Sequence, residues 1–314
     1  MAAPRAIVSG ACCAAALCCG GLSGPPGAAL ALLALPLPAL VAGGVGGIGH
    51  AAASSLAAGG LVSALLGWTV GAGFLVLAGL PAVLVVCLLR RAWRLEPVIA
   101  AAVGATLSGA LVLFLVAHHG ESETWSAVAA QTWRQSFEAA TQTYREVGVS
   151  AETLADLDAL REGTARQVAK LLPSLLIVSL GALWLANIGL SRRWAGWPQL
   201  IALARWRNAD WMIWVLIASG FVTVASFEIV SDVAANLFVL TLACYFAQGI
   251  AIVSYFLARL GLPRGLRAAT YVFIALQHVA AALVVALGVF DLWGDFRHLA
   301  ARPADAAVGR DSER

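Results

Sequence analysis

The chain has 314 residues, of which 61% are hydrophobic and 12% are charged, and its formal net charge is +3. Soluble domains carry about 25% charged residues, and their helices keep one polar face, whereas the apolar residues here come in runs of about 20, the length that crosses a bilayer. The composition therefore excludes a soluble globular protein, and the small net positive charge gives no indication of nucleic-acid binding.

Four membrane spans are predicted in the N-terminal third, near residues 6–24, 28–46, 50–67 and 70–89. The first resembles a signal peptide, but further spans follow at once, so we interpret it as an uncleaved helix. Pro36 and Pro38 predict a kink in the second span, which a membrane protein tolerates only where the backbone is buried or lines a cavity. Pairs of small residues with a spacing that lets helices approach closely are Ala11/Ala15, Gly67/Gly71 and Gly104/Ser108.

Six cysteines lie inside the apolar runs, whereas a disulfide framework belongs to loop-rich secreted segments. The double pairs Cys12-Cys13 and Cys18-Cys19 lack the CxxC-type spacing and the additional pair or His of a zinc site, so we interpret them as packing residues. His118 and His119 close the fifth span and are interpreted as interfacial. No metal and no other cofactor is predicted.

A fifth span near 97–118 is followed by a long polar insertion, residues 121–170. Apolar residues recur there at helical spacing until Gly148-Val149-Ser150, where Ser150 is a suitable N-cap. The pattern fits two structures equally well. One is a helical hairpin that extends the flanking spans, and the other is an amphipathic stalk on the lipid headgroups.

The remaining spans are predicted near 171–190, 211–230, 234–258 and 268–290, after a short interfacial helix within 198–210. The expected fold is all-α, a polytopic transmembrane helix bundle of about eight to nine spans. It forms a single membrane domain over residues 1–297, followed by a disordered polar tail over 298–314.

Arginines set the expected orientation, because short cytoplasmic loops are enriched in Lys and Arg. With nine spans, three basic loops fall on the same side as Arg5, which is then cytoplasmic along with the N-terminus. These loops hold Arg90, Arg91 and Arg94; Arg192, Arg193, Arg205 and Arg207; and Arg259, Arg264 and Arg267. The acidic insertion 121–170 is then extracytoplasmic. The protein is expected in the inner membrane of a bacterium.

Polar residues inside spans are the candidates for function, since burying them in lipid is costly. The phosphate-binding, zinc-protease and serine-hydrolase motifs do not occur in the sequence, and no enzyme is predicted. Gln277 and His278 lie two to three turns into the last span, and we expect them to face polar partners on the span 234–258. The predicted ligand-binding residues are Asn236, Tyr245, Gln248, Gln277 and His278.

Several strings in the C-terminal half carry a family resemblance. They are Arg207-Asn208-Ala209-Asp210-Trp211, Asn236-Leu237-Phe238, Tyr245-Phe246-Ala247-Gln248-Gly249 and Phe290-Asp291-Leu292-Trp293-Gly294-Asp295-Phe296-Arg297. Together they resemble the YybS-like family of predicted bacterial membrane proteins, a domain of unknown function (2232). The resemblance covers most of the chain and is strongest over about 170–297. Its most specific part is the LDLW-x-DFR-type ending, which here begins with Phe290.

The resemblance implies a distant similarity to the substrate-binding membrane subunits of energy-coupling-factor vitamin transporters. Such subunits have six spans with both ends cytoplasmic, and Ala11/Ala15 resembles their motif for docking a transporter scaffold. Three extra spans and the 121–170 insertion depart from that pattern. Asp291, Asp295 and Arg297 are expected either to cap the last span or to dock a partner.

Two functions follow as hypotheses. The first is a transport-related, solute-binding membrane component. The alternative is a non-catalytic scaffold or regulator of envelope proteins that acts through the 121–170 insertion. The expected partners are the lipid bilayer and other membrane proteins such as a transporter scaffold, and the solute is not specified by the sequence.

Overall fold

The computed structural model describes residues 10, 12–13, 34–117, 125–195, 206–225 and 228–297. The first predicted span apart from residues 10, 12 and 13, the pairs Ala11/Ala15 and His118/His119, and the predicted tail 298–314 lie outside the described residues. All the regular secondary structure within the described ranges is helical, which confirms the all-α class.

The described helices are named α1 to α10 in chain order. They are α1 (Leu37–Gly46), α2 (Ile48–Leu66), α3 (Trp68–Arg90, with a π-helical turn at Leu75–Gly79), α4 (Leu95–Ala117), α5 (Trp125–Glu146), α6 (Ala151–Ala195), α7 (Met212–Val224), α8 (Glu228–Arg259), α9 (Arg264–Leu276) and α10 (His278–Gly294). The chain divides by its internal contacts into two compact units, Met1–Leu200 and Ile201–Arg314, and the single membrane domain over 1–297 stays a prediction.

Five of the described helices contain stretches long and apolar enough to cross a bilayer, and a bent pair raises the count to six. The five stretches are Ile48–Leu66, Trp68–Arg90, Leu95–Ala117, Gly163–Arg192 and Val230–Arg259, and the bent pair is α9 with α10. The predicted spans 28–46 and 211–230 correspond to α1 and α7. These helices have 10 and 13 residues, which at 1.5 Å each fall short of a core about 30 Å thick. The count of eight to nine spans therefore stays a prediction.

The described helix of the second predicted span is interrupted at the predicted prolines: Ala34 is helical, Leu35 and Pro36 form a turn, and α1 begins at Leu37. Pro36 is the N-cap of α1, and Pro38 lies in its first turn. Proline is tolerated there, because the first backbone N–H groups of a helix have no partner inside the helix. The two prolines therefore lie where this turn passes into α1.

Helix α1 ends at Gly46, and an arginine of α3 donates hydrogen bonds to carbonyl groups in its last turn. Gly47 has a φ of 95°, which favours glycine, and α2 begins at the next residue. The Arg90 guanidinium donates from Nη2 to the carbonyl oxygens of Gly43 (2.9 Å) and Gly44 (3.0 Å). Because these carbonyls lie at the end of a helix, Arg90 supplies the partners and the positive charge that the end requires.

Helices α2 and α3 form a hairpin that turns at Gly67, where φ is 98°. A methyl group at Gly71 would overlap the Ser63 hydroxyl, so the two helices approach closely at this glycine. The predicted small pair Gly67/Gly71 thus lies at a helix contact within the chain. Gly104 of the other described pair faces open space.

A buried hydrogen-bond network connects α3, α4 and α6. The Trp184 indole, 1% exposed, donates from Nε1 to the Thr106 hydroxyl at 3.2 Å. The Thr106 hydroxyl donates in turn to the Ala102 carbonyl at 3.0 Å and lies 3.5 Å from the Leu77 carbonyl in the π-helical turn. A second carbonyl of that turn, at Gly79, accepts from Ser55 at 3.4 Å.

The insertion 121–170 contains α5 and the first part of α6, which pack against each other as a helical hairpin. Gly148 turns the chain with a φ of 86°, and the Ser150 hydroxyl accepts from the Thr153 N–H at 3.3 Å, as expected of an N-cap. Helix α6 then continues without interruption through Pro173 into the predicted sixth span.

The last predicted span, 268–290, is wrong as a continuous helix. Gln277 adopts an extended conformation (φ −105°, ψ 109°), and α9 and α10 bend by 101° at this residue. The Gln277 N–H closes α9 on the Phe273 carbonyl, and its own carbonyl accepts from Ala281 in α10. A single residue outside the helical region therefore makes the bend, and no proline within 268–290 announces it.

Candidate functional site

The centre of the unit Ile201–Arg314 holds a buried ion pair. Arg297 Nη2 donates to Asp291 Oδ2 at 2.8 Å, and the two side chains are 0% and 2% exposed. Gln248 of α8, 2% exposed, donates from Nε2 to the same carboxylate oxygen at 2.9 Å. The carboxylate is thus held by a cation and an amide. Such pairing is what allows a charge to stay buried.

Backbone groups complete this polar network. The Gln248 Oε1 accepts from the Asn208 N–H at 2.9 Å, and Arg297 Nη2 also donates to the Trp206 carbonyl at 2.9 Å. The Asn208 side chain donates from Nδ2 to the Cys244 carbonyl and accepts from the Trp206 indole. The network therefore joins the segment before α7 to α8 and to the end of α10.

A turn at the end of α10 brings Arg297 back to Asp291. Helix α10 ends at Gly294, and Asp295 adopts the left-handed conformation (φ 34°, ψ 52°). Its N–H bonds the Asp291 carbonyl at 3.2 Å, and the Phe296 N–H bonds Asp291 Oδ1 at 3.1 Å. The Asp291 carboxylate thus accepts from two residues of the turn, Phe296 through its N–H and Arg297 through its guanidinium.

Two glycines let α8 and α10 meet backbone to backbone beside the ion pair. A methyl group at Gly249 would overlap the Val284 carbonyl, and one at Gly288 would overlap the Tyr245 carbonyl. Gly249 follows Gln248, and Gly288 lies one turn before Asp291. The short helix separation that these glycines permit lets Gln248 reach Asp291.

Tyr245 lies one turn before Gln248 and is 1% exposed. Its ring packs with Ile213 and Leu216 of α7 in the apolar core of this unit. The hydroxyl has no hydrogen-bond partner among the residues that the structure describes. Tyr245 thus contributes chiefly apolar contact at this position.

Comparison with known proteins identifies the chain. Residues 12–292 match the family described as Predicted membrane protein (DUF2232). The chain belongs to this family. No curated protein and no solved structure matches it. The DUF2232 match and the long apolar helices agree on a multi-pass membrane protein, and the similarity to energy-coupling-factor subunits stays a prediction.

The structure brings together only two of the five residues predicted to bind a ligand in this DUF2232 protein. Tyr245 and Gln248 are neighbours on α8, whereas Asn236 is half-buried farther back along the same helix, where its side chain donates to the Asp232 carbonyl at 2.8 Å. Gln277 and His278 are exposed at the bend between α9 and α10. The expected partnership with Gln248 is wrong, because Gln248 bonds Asp291 and Asn208 instead.

The residues predicted to dock a partner fall into two groups, those outside the described residues and those in or beside the buried ion pair. Ala11 and Ala15 lie outside the described residues. Asp291 and Arg297 are buried against each other and Asp295 is half-buried, so the ion pair presents no exposed surface to a partner. The geometry is that of a cap on α10, and the DUF2232 match ends at Leu292, before Asp295 and Arg297.

Asn208 and the Trp206 carbonyl were missed as members of the network. Asn208 belongs to one of the strings that carry the family resemblance, and this membership could have marked it as a residue of the site. The polar groups of the site bond one another and so hold the segment before α7, α8 and the end of α10 together.

Among the described residues, no group of three or more His, Cys, Asp or Glu side chains is placed to hold a metal ion.

Proposed function

We propose that this DUF2232 protein is a non-catalytic membrane scaffold or regulator of envelope proteins, which acts through the helical hairpin formed by α5 and the first part of α6. The observation that carries the proposal is the length of α6. Its 45 residues form one helix about 68 Å long, whereas a bilayer core is about 30 Å thick. The hairpin is therefore a continuation of a membrane span.

The hairpin suits the display of a surface at a fixed distance from the membrane. The part of α6 suited to cross the bilayer is Gly163–Arg192, which leaves Ala151 to Glu162 beyond its end. Helix α5 packs along α6, and the tip of the hairpin exposes Tyr144 in the last turn of α5 and Val147 in the connecting turn, the latter at 77%. In this proposal these two exposed side chains form the contact point for a protein partner.

The polar centre of the unit Ile201–Arg314 supports the same proposal. The carboxylate of Asp291 and both ends of the Gln248 amide are bonded within the unit, and Gly249 and Gly288 bring the surrounding backbones into contact. Groups engaged in this way stabilise a packed helix pair. A solute would have to displace these bonds to reach Gln248 or Asp291.

Site-specific photocrosslinking in living cells tests the proposal. A photoreactive residue replaces Val147 or Tyr144 at the tip, and the same residue replaces the exposed Phe221 of α7 as a matched control. We expect one discrete protein adduct from both tip positions and not from position 221. A Val147→Asp substitution should reduce the adduct formed from position 144. Absence of an adduct at both tip positions, with wild-type amounts of protein in the membrane, contradicts the proposal.

A transport-related, solute-binding role is the second candidate, and the broken helix pair α9–α10 favours it. Transporters place discontinuous helices at their binding sites, and Gln277 and His278 lie exposed at the break. This role predicts that a small molecule co-purifies with the protein from native membranes and is lost in a Gln277→Ala/His278→Ala variant. It also requires the break to lie near the middle of the bilayer.

A further inference from the structure

The bend between α9 and α10 separates two helices of different character. Helix α10 is apolar and has 17 residues, about 25 Å, which is nearly the thickness of a bilayer core. Helix α9 has 13 residues and lies at 101° to α10. If α10 stands upright in the membrane, α9 lies close to the membrane plane.

Helix α9 is strongly amphipathic. Its large exposed apolar side chains follow one another at helical spacing and share one face with Ala269: they are Leu266, Val272, Phe273 and Leu276. Leu276 is 75% exposed, so this face is not covered by the described residues of its own unit. The half-buried Arg267, Thr270 and Tyr271 and the buried Ile274 lie on the side toward the protein.

The charge around α9 has one sign. Arg264 and Arg267 lie on α9, and Arg259 ends the preceding helix. No acidic residue occurs between Asp232 and Asp291. Arg264 is exposed and projects from the face roughly opposite Phe273, while Arg267 closes the preceding loop by donating from Nε to the Leu262 carbonyl at 2.8 Å.

We propose that α9 is an interfacial helix that binds the anionic headgroup layer of the bilayer. Its apolar face lies in the acyl-chain boundary, and Arg264 and Arg267 lie at the depth of lipid phosphates. A helix with apolar side chains on one face and arginines on the other is the form that binds a membrane in its plane. The uniform positive charge selects acidic headgroups over zwitterionic ones, because each basic residue near an anionic surface adds attraction.

The depth of α9 can be measured in the full chain reconstituted into phosphatidylglycerol–phosphatidylethanolamine nanodiscs. The six native cysteines are replaced by alanine, and single nitroxide labels are placed at 266, 269, 273 and 276 on the apolar face. Labels at 268 and 275, which are exposed on the side of α9 that carries Arg264, serve as matched controls. Collision rates with oxygen and with a water-soluble nickel complex report the immersion of each label.

We expect the first four labels to lie at one shallow depth and the two controls to be in contact with water, so that immersion follows the helical period. If the depth instead increases steadily with residue number from 266 to 276, for labels on both sides of the helix, the proposal is overturned in favour of a helix that descends into the bilayer. Labels on the apolar face that are shielded from both oxygen and nickel would overturn it in favour of a protein contact.

The preference for acidic headgroups has its own test. A fluorophore at position 268 is quenched by brominated phosphatidylglycerol or brominated phosphatidylcholine in mixed bilayers, which gives the relative affinity of the two lipids at α9. Arg264→Gln should lower the preference for phosphatidylglycerol about fivefold, since one basic residue at an anionic surface contributes about that factor. A fluorophore at 221 on α7 is the control and should show no change. An unchanged preference at 268, in a variant with wild-type thermal stability, would overturn the headgroup assignment.

Discussion

Asp291 and Arg297 show how a single side chain can decide the stability of this fold. Both are removed from solvent, and each is held by further polar groups: Gln248 on the carboxylate and the Trp206 carbonyl on the guanidinium. Removing one charge leaves the other buried without its counter-ion, which costs far more than an exposed pair would contribute.

We predict that Arg297→Met destabilises the protein by about 3–5 kcal/mol, because Asp291 then stays buried without its cation. Adding Asp291→Asn in the same chain should recover much of the loss, since Asn keeps an oxygen for Gln248 and carries no charge. The measurement is thermal unfolding of the detergent-purified protein. Arg207→Met is the control: its partner Asp210 is 73% exposed, and the cost should stay below about 1 kcal/mol. Equal effects at 207 and 297 would contradict this assignment.

The second prediction at this scale concerns the glycines between α8 and α10. Gly249→Ala and Gly288→Ala should each destabilise the protein by about 1–3 kcal/mol, because the added methyl forces the two backbones apart. Gly265→Ala in α9 meets open space and should be neutral or slightly stabilising. The melting temperatures of the three variants are compared with that of the wild type. A neutral Gly288→Ala would mean that the helices do not meet at this residue.

The sequence indicated which polar residues belong to the buried network, but it did not indicate which of them bond one another. Gln248, Asp291 and Arg297 stood out because polar groups in apolar runs are costly and because the ending of the last span is distinctive. Their mutual contact could not be predicted, since it depends on the turn at Asp295 and on the close approach at Gly288. Both are tertiary features with no periodic signal.

At the scale of elements, the network around Thr106 holds three helices together. The Thr106 hydroxyl accepts from Trp184 of α6 and lies near the Leu77 carbonyl of α3, whose π-helical turn also accepts a hydrogen bond from Ser55. A π-helical turn leaves backbone groups outside the regular ladder, so neighbouring hydroxyls can serve as partners.

A double-mutant cycle tests this network. Thr106→Val should cost about 1–3 kcal/mol, since the buried Trp184 N–H loses its acceptor. Trp184→Phe should cost less in the Thr106→Val background than in the wild type, because the hydrogen bond is already gone. The free energies are obtained from unfolding of the four proteins in detergent. Strictly additive effects would show that the two side chains do not interact.

Periodicity predicted where helices lie better than where they begin, end and bend. The predicted spans 50–67, 70–89 and 97–118 match α2, α3 and α4 closely. The interruption predicted at Pro36 coincides with the turn before α1, because proline fits the first turn of a helix and disrupts a helix interior. The bend at Gln277 had no proline or glycine to mark it and depends on the conformation of one residue.

The whole molecule is a multi-pass helical membrane protein in which one helix joins a span to a polar hairpin. The arginine loops predict the cytoplasmic side, and the acidic insertion predicts the other side. This arrangement is the basis of the proposed scaffold role, because the hairpin meets envelope proteins only if it stands outside the cell membrane.

Sidedness of the hairpin is therefore the measurement that tests the account most directly. Single cysteines at Gln142 in α5 and at Trp93 in the loop between α3 and α4 are introduced into a chain without native cysteines, and intact spheroplasts are treated with a membrane-impermeant maleimide. We expect position 142 to react in intact spheroplasts and position 93 to react only after the membrane is opened. Reaction at 93 in intact cells, with 142 protected until lysis, would place the hairpin in the cytoplasm and contradict the account.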